Sequence, residues 1–270
     1  MDNNSKNSFT PASLSTEELS KALYETSLKL QQANDELTEI HNQQKELFLN
    51  ISHDLRAPIA LVKSSIEAML IHQPESKEDI HNELDIINKR ILQMEKMVND
   101  IFLLASLDAK RIPFHLEIIN IGLFLEDLFY MYEADELFSE RNLTLDIPID
   151  FPYDVSLDPD LFTTVINNLF MNALKFTNKG DSISLSAYPV SDTMICIQIT
   201  DSGIGIAPEH LSHIFNRSYM VEDARTPGQN TGHGLGLSIV TSIVELHNGE
   251  IKCESEYGIG TSFMIYLPVQ

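Results

Sequence analysis

Residues 48–59 are FLNISHDLRAPI, and they lie inside a long helical pattern that decides the fold of the first half of the chain. Before and into this stretch, seam positions recur at alternating steps of four and three, which is typical of a coiled coil. They are Leu19, Leu23, Thr26, Leu30, Ala33, Leu37, Ile40, Gln44, Leu47 and Ile51. From Ile51 two steps of four follow before the alternation returns, and such a stutter locally unwinds a coiled coil. His53 is therefore predicted to face solvent, and Pro58 predicts a bend.

A second helical pattern follows a short polar segment. Residues 72–79, HQPESKED, indicate a turn, after which the same spacing continues at Ile80, Leu84, Ile87, Ile91, Met94, Val98, Ile101 and Ala105. Two long helices joined by a short turn form an antiparallel hairpin. One hairpin has a long apolar stripe and little to cover it, so we expect two copies to pair as a four-helix bundle, in a homodimer.

His53 is a candidate for chemistry because of its neighbour. An exposed helical histidine is ordinarily of no consequence, but Asp54 follows it directly. A carboxylate that accepts a hydrogen bond from one imidazole nitrogen fixes the tautomer and makes the other nitrogen more nucleophilic.

The second half of the chain alternates between strands and helices. We expect strands at 114–118, 144–147, 155–157, 182–188, 194–201, 251–255 and 262–267, and helices at 121–141, 160–176 and 235–247. This order predicts an α/β sandwich, one mixed sheet with helices on one face. Residues 106–113 are the expected hinge between the two halves.

Composition bears on the partners of the chain, on the state of its cysteines and on its location. With 18 basic and 40 acidic residues the net charge is −22, which disfavours nucleic acid as a partner. Cys196 and Cys253 each lie in a strand-like run, and we expect two buried thiols rather than a disulfide. No run is long and apolar enough for a membrane span and no leader opens the chain, so we expect a cytoplasmic protein.

Three polar residues share one face of the predicted helix at 160–176. Asn168 and Asn172 are four apart and Lys175 follows three later. An amide oxygen can ligate Mg²⁺ and an ammonium can neutralise phosphate charge. Asparagine-rich helix ends are also common without any such role.

Two glycine-containing segments follow. In DSGIG, 201–205, Asp201 ends a predicted strand, where its carboxylate could accept from an exocyclic amine, and Gly203 and Gly205 allow a tight turn beside a ligand. The alternative is a hairpin turn with a solvated Asp. In TGHGLGLSIV, 231–240, glycines lead into a helix and could direct amides at an anion, or could form a flexible linker. The roughly 25 polar residues between these segments are long for a connection in a compact domain.

In this order the segments resemble the sensor histidine kinases of two-component signalling, over about residues 40–270. HDLRAP resembles the phosphoacceptor box, NNLFMNALKF the asparagine box, and DSGIG and GHGLGL the glycine boxes. HIFNRSY resembles the phenylalanine box of the lid. Residues 1–16 are polar and rich in Asn and Ser, and we expect them to form a disordered tail, followed by a coiled-coil signalling helix at 17–46. The resemblance implies a dimerisation and phosphotransfer hairpin at 47–108 and a catalytic ATP-binding domain at 114–270.

The resemblance also implies roles for individual residues. His53 would take the γ-phosphoryl group of ATP and Asp54 would activate it. Asn172 would hold Mg²⁺, and Asn168 and Lys175 would contact Mg²⁺ or phosphates. The remaining cofactor-binding residues would be Phe176 beside the nucleotide, Asp201 at the adenine amine, Thr261 supporting it, Arg217 at a phosphate, and Gly203, Gly205, Gly232, Gly234 and Gly236 shaping the pocket and lid. The implied partners are a second copy, the receiver domain of a response regulator, and an upstream sensor protein or domain.

Three positions depart from the family pattern. Ala57, three residues after Asp54, stands where phosphatase-competent relatives have Thr or Asn, and alanine cannot position a water. We therefore expect weak or absent phosphatase activity. Met220 replaces a second lid arginine, which leaves Arg217 as the candidate, and His233 replaces a common Thr.

Two other functions remain open at this point. The same ATP-binding sandwich serves chaperones, type II topoisomerases and mismatch-repair proteins, and fold alone does not decide function. Those proteins are not expected to carry a histidine box on a dimerising hairpin. A pseudokinase adaptor that docks a regulator without turnover is the second alternative, although each expected contact position holds a competent residue.

Overall fold

The computed structural model describes residues 16–71, 76–109, 111–217, 219 and 234–270. The predicted tail at 1–16 falls almost wholly outside them. The chain divides into two compact units, one that ends at Ser52 and one that comprises His53–Gln270. Among the described residues, no helix has both the length and the apolar character needed to cross a membrane.

Two long helices form the first part of the chain, as predicted. Helix α1 is Thr16–Ile71 and continues through Pro58, and α2 is Lys77–Asp108. Helix α2 begins three residues before the predicted Ile80 because Ser76 caps it: the Ser76 hydroxyl accepts from the Asp79 amide at 3.1 Å, and the Asp79 carboxylate accepts from the Ser76 amide at 3.1 Å.

The hairpin of the second unit leaves much of its apolar surface uncovered. Ile59, Leu84 and Ile91, all at predicted seam positions, are 53%, 51% and 46% exposed. A groove of about 420 Å³ lies between α1 and α2, lined by Ile59, Val62, Lys63, Ile66, Glu67 and Met94. Farther along α2, Met97 and Leu104 are buried, and α2 contacts helix α6, which is Gly236–Leu246.

A mixed α/β domain follows the hairpin, as predicted. Its other elements are β1 (Glu117–Asn120), α3 (Ile121–Ala134), a 3-10 helix (Glu136–Phe138), β2 (Asn142–Asp146), β3 (Asp154–Leu157), α4 (Pro159–Phe176), β4 (Ser182–Ser191), β5 (Met194–Asp201), α5 (Pro208–Leu211), β6 (Glu250–Glu256) and β7 (Gly260–Pro268). Five strands form one sheet in the order β2-β4-β5-β7-β6, in which only β2 and β4 run parallel. The pair β1 and β3 forms a separate antiparallel ribbon.

The core lies between this sheet and helices α4 and α6, which also contact each other. Helix α4 starts at Pro159, whose fixed φ suits a first helical position, and the Asp158 carboxylate accepts from the Leu161 amide at 3.0 Å. Its apolar face buries Phe162 and Phe170 completely. Replacing either phenylalanine by alanine would cost about 3–5 kcal/mol of folding free energy.

Several sequence-based boundaries differ from the structure, and two of them have a clear local cause. The predicted strand at 114–118 begins only at Glu117, because the His115 amide donates to the Asp158 carboxylate at 2.8 Å instead of to a neighbouring strand. The predicted helix at 121–141 ends at Ala134, because the Asp135 carboxylate accepts from the Leu137 amide at 2.9 Å and starts a 3-10 turn.

The two cysteines are free thiols, as predicted. Cys196 is buried, whereas Cys253 is only half-buried, which corrects the prediction that both are buried. Cys196 is paired with Tyr266 and Cys253 with Phe263 on the shared neighbour β7. Because those two positions are three apart in one strand, the thiols lie on opposite faces of the sheet and cannot form a disulfide.

Candidate functional site

The asparagine pair on α4 lies beside the start of α6. The Asn168 side chain is 7% exposed, and its amide nitrogen donates to the Thr164 carbonyl at 2.9 Å. Its Oδ1 therefore points the other way, and a Cβ added at Gly236 would lie 2.9 Å from it. The structure thus brings the asparagine segment and the second glycine segment into contact, which needs glycine at position 236.

The other two predicted site residues of α4, Asn172 and Lys175, lie one and two turns after Asn168. Asn172 is half-buried, and its side chain makes no hydrogen bond with any residue of the described ranges. The Lys175 ammonium lies 4.8 Å from the centre of the Phe176 ring. Partial burial lowers the pKa of Lys175. Among the described residues, no group of three or more His, Cys, Asp or Glu side chains could hold a metal ion.

Asp201 is a buried carboxylate at the end of β5. Its side-chain Oδ1 accepts from the Gly203 amide at 2.9 Å, and the residue is 6% exposed. Burial raises the pKa of Asp201, and hydrogen bonds from the Gly203 and Thr261 amides oppose that rise. The environment rules out the alternative of a turn with a solvated Asp.

Gly203 and Gly205 let the loop after Asp201 approach two other segments. A Cβ at Gly203 would overlap the Phe176 carbonyl, which accepts from the Ile204 amide at 3.1 Å. Gly205 has φ +66°, and a Cβ there would overlap the Glu256 carbonyl. Backbone approach this close excludes any side chain at either position.

The start of α6 leaves backbone donors available. Gly234 has φ +69°, and no side chain of the described residues caps the helix that begins at Gly236. The first backbone amides of a helix have no hydrogen-bond partner within that helix. Together with the positive end of the helix dipole, they favour the binding of an anion. Gly232 and His233 lie outside the described residues, as does Met220.

Thr261 lies next to Asp201 in the sheet. The two residues are register partners between β5 and β7, and Thr261 is 7% exposed. Its hydroxyl lies 3.0 Å from that of Ser255 on β6. No sequence pattern indicated Ser255, because a serine in an alternating strand is not distinctive by itself.

Among the described residues, Arg217 does not contact the predicted site residues around Asp201 and Asn168 and is paired elsewhere. Its guanidinium forms two hydrogen bonds with the carboxylate of Asp108, the last residue of α2, at 2.7 Å and 2.5 Å. The side chains of Arg217 and Asp108 are 36% and 40% exposed. Arg217, the residue predicted to contact a phosphate, is therefore paired with a carboxylate at the end of the hairpin.

His53 and Asp54 lie on α1, and their side chains are outside the described part of the chain. The structure does gather one group of predicted residues, the nucleotide cluster, which consists of Asn168, Asp201, Gly203, Gly236 and Thr261. At one end the buried Asp201 carboxylate lies beside Gly203, and at the other the uncapped start of α6 lies beside Asn168. A buried acceptor and a helix start that no side chain of the described residues caps suit a ligand with an amine at one end and an anion at the other.

Two family models match the chain. Residues 43–110 match the His Kinase A (phospho-acceptor) domain, and residues 157–270 match the histidine kinase-, DNA gyrase B-, and HSP90-like ATPase. The chain belongs to the sensor histidine kinases of two-component signalling.

Curated sensor proteins are similar to this chain over most of its length. Over 238 residues the chain is 34% identical to the sensor protein SrrB of Staphylococcus aureus strain COL and 33% identical to that of strain Mu50. Each alignment covers 86% of this chain and 40% of the relative. The chain thus spans less than half the length of these relatives of the histidine kinase family.

Solved structures share the fold. The Acinetobacter baumannii histidine kinase AdeS has a TM-score of 0.61 at 19% identity, covering 81% of this chain and 98% of its own. The histidine kinase ThkA, in complex with the response regulator protein TrrA, has a TM-score of 0.67 at 20% identity, covering 83% and 61%. Full-length ShkA in complex with AMPPNP has a TM-score of 0.58 at 22% identity, covering 83% and 46%.

Proposed function

We propose that this chain is an ATP-dependent protein-histidine kinase that phosphorylates its own His53. The observation that carries the proposal is the buried Asp201 carboxylate, held by the Gly203 amide in a domain of the ATPase family. A carboxylate acceptor with little water around it suits the exocyclic amine of adenine. The phosphates would then extend toward the uncapped start of α6.

The α4 residues would organise the phosphate end. Asn172 would contribute an oxygen ligand to Mg²⁺, which commonly takes few protein ligands and completes its shell with phosphate oxygens and water. Asn168 would contact Mg²⁺ or phosphate and Lys175 would neutralise charge. Phosphoryl transfer through a loose transition state needs mainly such positioning and charge neutralisation. When bound, ATP with Mg²⁺ supplies the transferable phosphoryl group.

The acceptor step would take place at the hairpin. Asp54 would hold one nitrogen of His53 and leave the other free to take the phosphoryl group. From His53 the group would pass to an aspartate of a response regulator's receiver domain. The exposed seam residues of the hairpin, such as Ile59 and Leu84, support pairing of two copies as a four-helix bundle. The domain limits 17–46, 47–108 and 114–270 and an upstream sensor are part of this proposal.

The test is incubation with γ-labelled ATP and Mg²⁺. We expect label that is acid-labile and alkali-stable, absent from His53→Gln and from Asn172→Ala. His81→Gln is the matched control, because His81 lies elsewhere on the hairpin and is exposed, with its Nε2 3.8 Å from the Asp85 carboxylate. Label that persists in His53→Gln, or that is lost equally in His81→Gln, would contradict the proposal. ADP binding without any labelling would favour the adaptor.

We also propose that the chain is a poor phosphatase. Ala57 has no group that could hold a water for attack on a phosphorylated receiver domain. We expect the wild type to leave such a domain phosphorylated, and Ala57→Thr to speed its dephosphorylation. Rapid dephosphorylation by the wild type would contradict this.

A further inference from the structure

The Ser255 hydroxyl lies where three segments around the nucleotide cluster meet. It accepts from the Ile206 amide at 2.8 Å, in the loop after Gly205. It donates to the Gly260 carbonyl at 2.7 Å, at the start of β7. Its oxygen also lies 3.0 Å from the Thr261 hydroxyl. Ser255 and Thr261 are register partners between β6 and β7, so their side chains share one face of the sheet.

These three contacts fix the direction of the bond between the two hydroxyls. A serine hydroxyl has one proton to donate and two lone pairs that accept. The Ser255 proton is engaged by the Gly260 carbonyl, so the contact with Thr261 must use the proton of Thr261. Thr261 then has only lone pairs left for a ligand, and its hydroxyl acts there as an acceptor.

The adjoining group in the cluster is an acceptor too. Asp201 is the β5 register partner of Thr261, and the Thr261 amide hydrogen-bonds to the Asp201 carboxylate. Two acceptors side by side suit a group with two N–H bonds, such as an exocyclic amine. A carbonyl oxygen in the same place would meet acceptors only, and a buried acceptor left without a donor costs binding energy.

We propose that Ser255 is a positioning residue for base selection: it holds Thr261 as an acceptor, so that the site prefers a 6-aminopurine to a 6-oxopurine. The inference rests on the proposed function, since it requires the nucleotide to lie at Asp201. Ser255 itself acts through Thr261 and is not placed against the base. A purely structural role for Ser255, tying the β6–β7 turn to the Ile206 loop, would change affinity for both bases alike.

The test compares the binding of ADP and inosine diphosphate to the full chain by calorimetry. The two nucleotides carry an amine and an oxo group, respectively, at the purine 6 position. In Ser255→Ala the Thr261 proton becomes free to donate, so we expect the preference for ADP to fall roughly fivefold. Ser262→Ala is the matched control, because its hydroxyl lies on the other sheet face, 2.7 Å from the Thr200 hydroxyl. It should leave the preference unchanged.

A double variant separates positioning from structure. Thr261→Val removes the hydroxyl at nearly constant shape and should lower the preference by itself. In that background Ser255→Ala should change it no further. An equal loss of affinity for both nucleotides in Ser255→Ala would overturn the inference and leave the proposed function standing. If Thr261→Val kept the full preference for ADP over inosine diphosphate, the inference would be overturned even if Ser255→Ala failed to fold. A wild type that binds neither nucleotide would overturn the proposed function as well.

Discussion

The ion pair between Arg217 and Asp108 predicts that Asp108→Asn strengthens ATP binding. One guanidinium cannot hold the two oxygens of a carboxylate and a phosphate oxygen in the same geometry, so a phosphate contact requires this pair to open. Asparagine at 108 removes the negative charge and one of the two acceptors. Arg217 would then be available to the nucleotide without first breaking the pair.

The exposure of the pair sets the size of the effect. Both side chains are more than a third exposed, so solvent screens the charges, and a pair of this kind contributes about 1 kcal/mol at most. If the Arg217–Asp108 pair must open before Arg217 can contact a phosphate, removing the pair should increase ATP affinity up to about fivefold. The gain should shrink as salt is added, because screening already weakens the pair.

The assay is equilibrium binding of ATP by Asp108→Asn and wild type at low and high salt. Glu140→Gln is the matched control, since it breaks the exposed Lys179–Glu140 pair, whose atoms are 2.7 Å apart, without touching Arg217. Equal ATP affinity in Asp108→Asn and wild type would refute the reasoning. So would a gain that survives in an Arg217→Ala background, because the effect is argued to act through that side chain.

Three further predictions concern single residues of the α/β domain. Gly203→Ala should abolish ADP binding and lower the melting temperature, because its Cβ would overlap the Phe176 carbonyl; calorimetry and thermal unfolding would measure both effects. Asp201→Asn should weaken ADP binding about 10- to 100-fold while raising the melting temperature at pH 7, because burial disfavours the charged carboxylate. Stability should fall as the pH drops below about 6.5, by at most about 1.4 kcal/mol per pH unit from His247, and that part of the pH dependence should vanish in His247→Gln.

The sign of the His247 prediction follows from its surroundings. Its Nε2 accepts from the Asp158 amide at 2.9 Å, and its Nδ1 lies 2.7 Å from the Ile243 carbonyl, so the proton is on Nδ1. Burial lowers the pKa of His247, more than the Ile243 carbonyl and the Asp158 carboxylate raise it. The unfolded chain therefore takes up a proton at a higher pH than the folded one, and acid favours unfolding until the folded pKa is passed.

The sheet was predictable because its strands carry apolar residues at every second position. Strand β5 was predicted at 194–201, its observed limits, since Ile195, Ile197 and Ile199 recur at every second position and are buried, although Cys196 between them is buried as well. The end of α3 was not predictable. Residues 133–138 are mostly compatible with a helix, and only the hydrogen bond that the Leu137 amide donates to the Asp135 carboxylate ends it. Such a local competition is decided by contacts that periodicity does not describe.

The same distinction explains which parts of the candidate site the sequence indicated. Glycines after a strand-end carboxylate indicate a turn in which the backbone approaches another segment closely. The structure shows the reason at Gly203, where no Cβ fits. An arginine reports only a charge, which a phosphate or a carboxylate can satisfy equally well. Arg217 pairs with Asp108 because the end of α2 lies beside it in the fold. No motif in either segment encodes that position. If the Asp108→Asn experiment succeeds, a single side chain serves the hairpin in one state and the nucleotide in another.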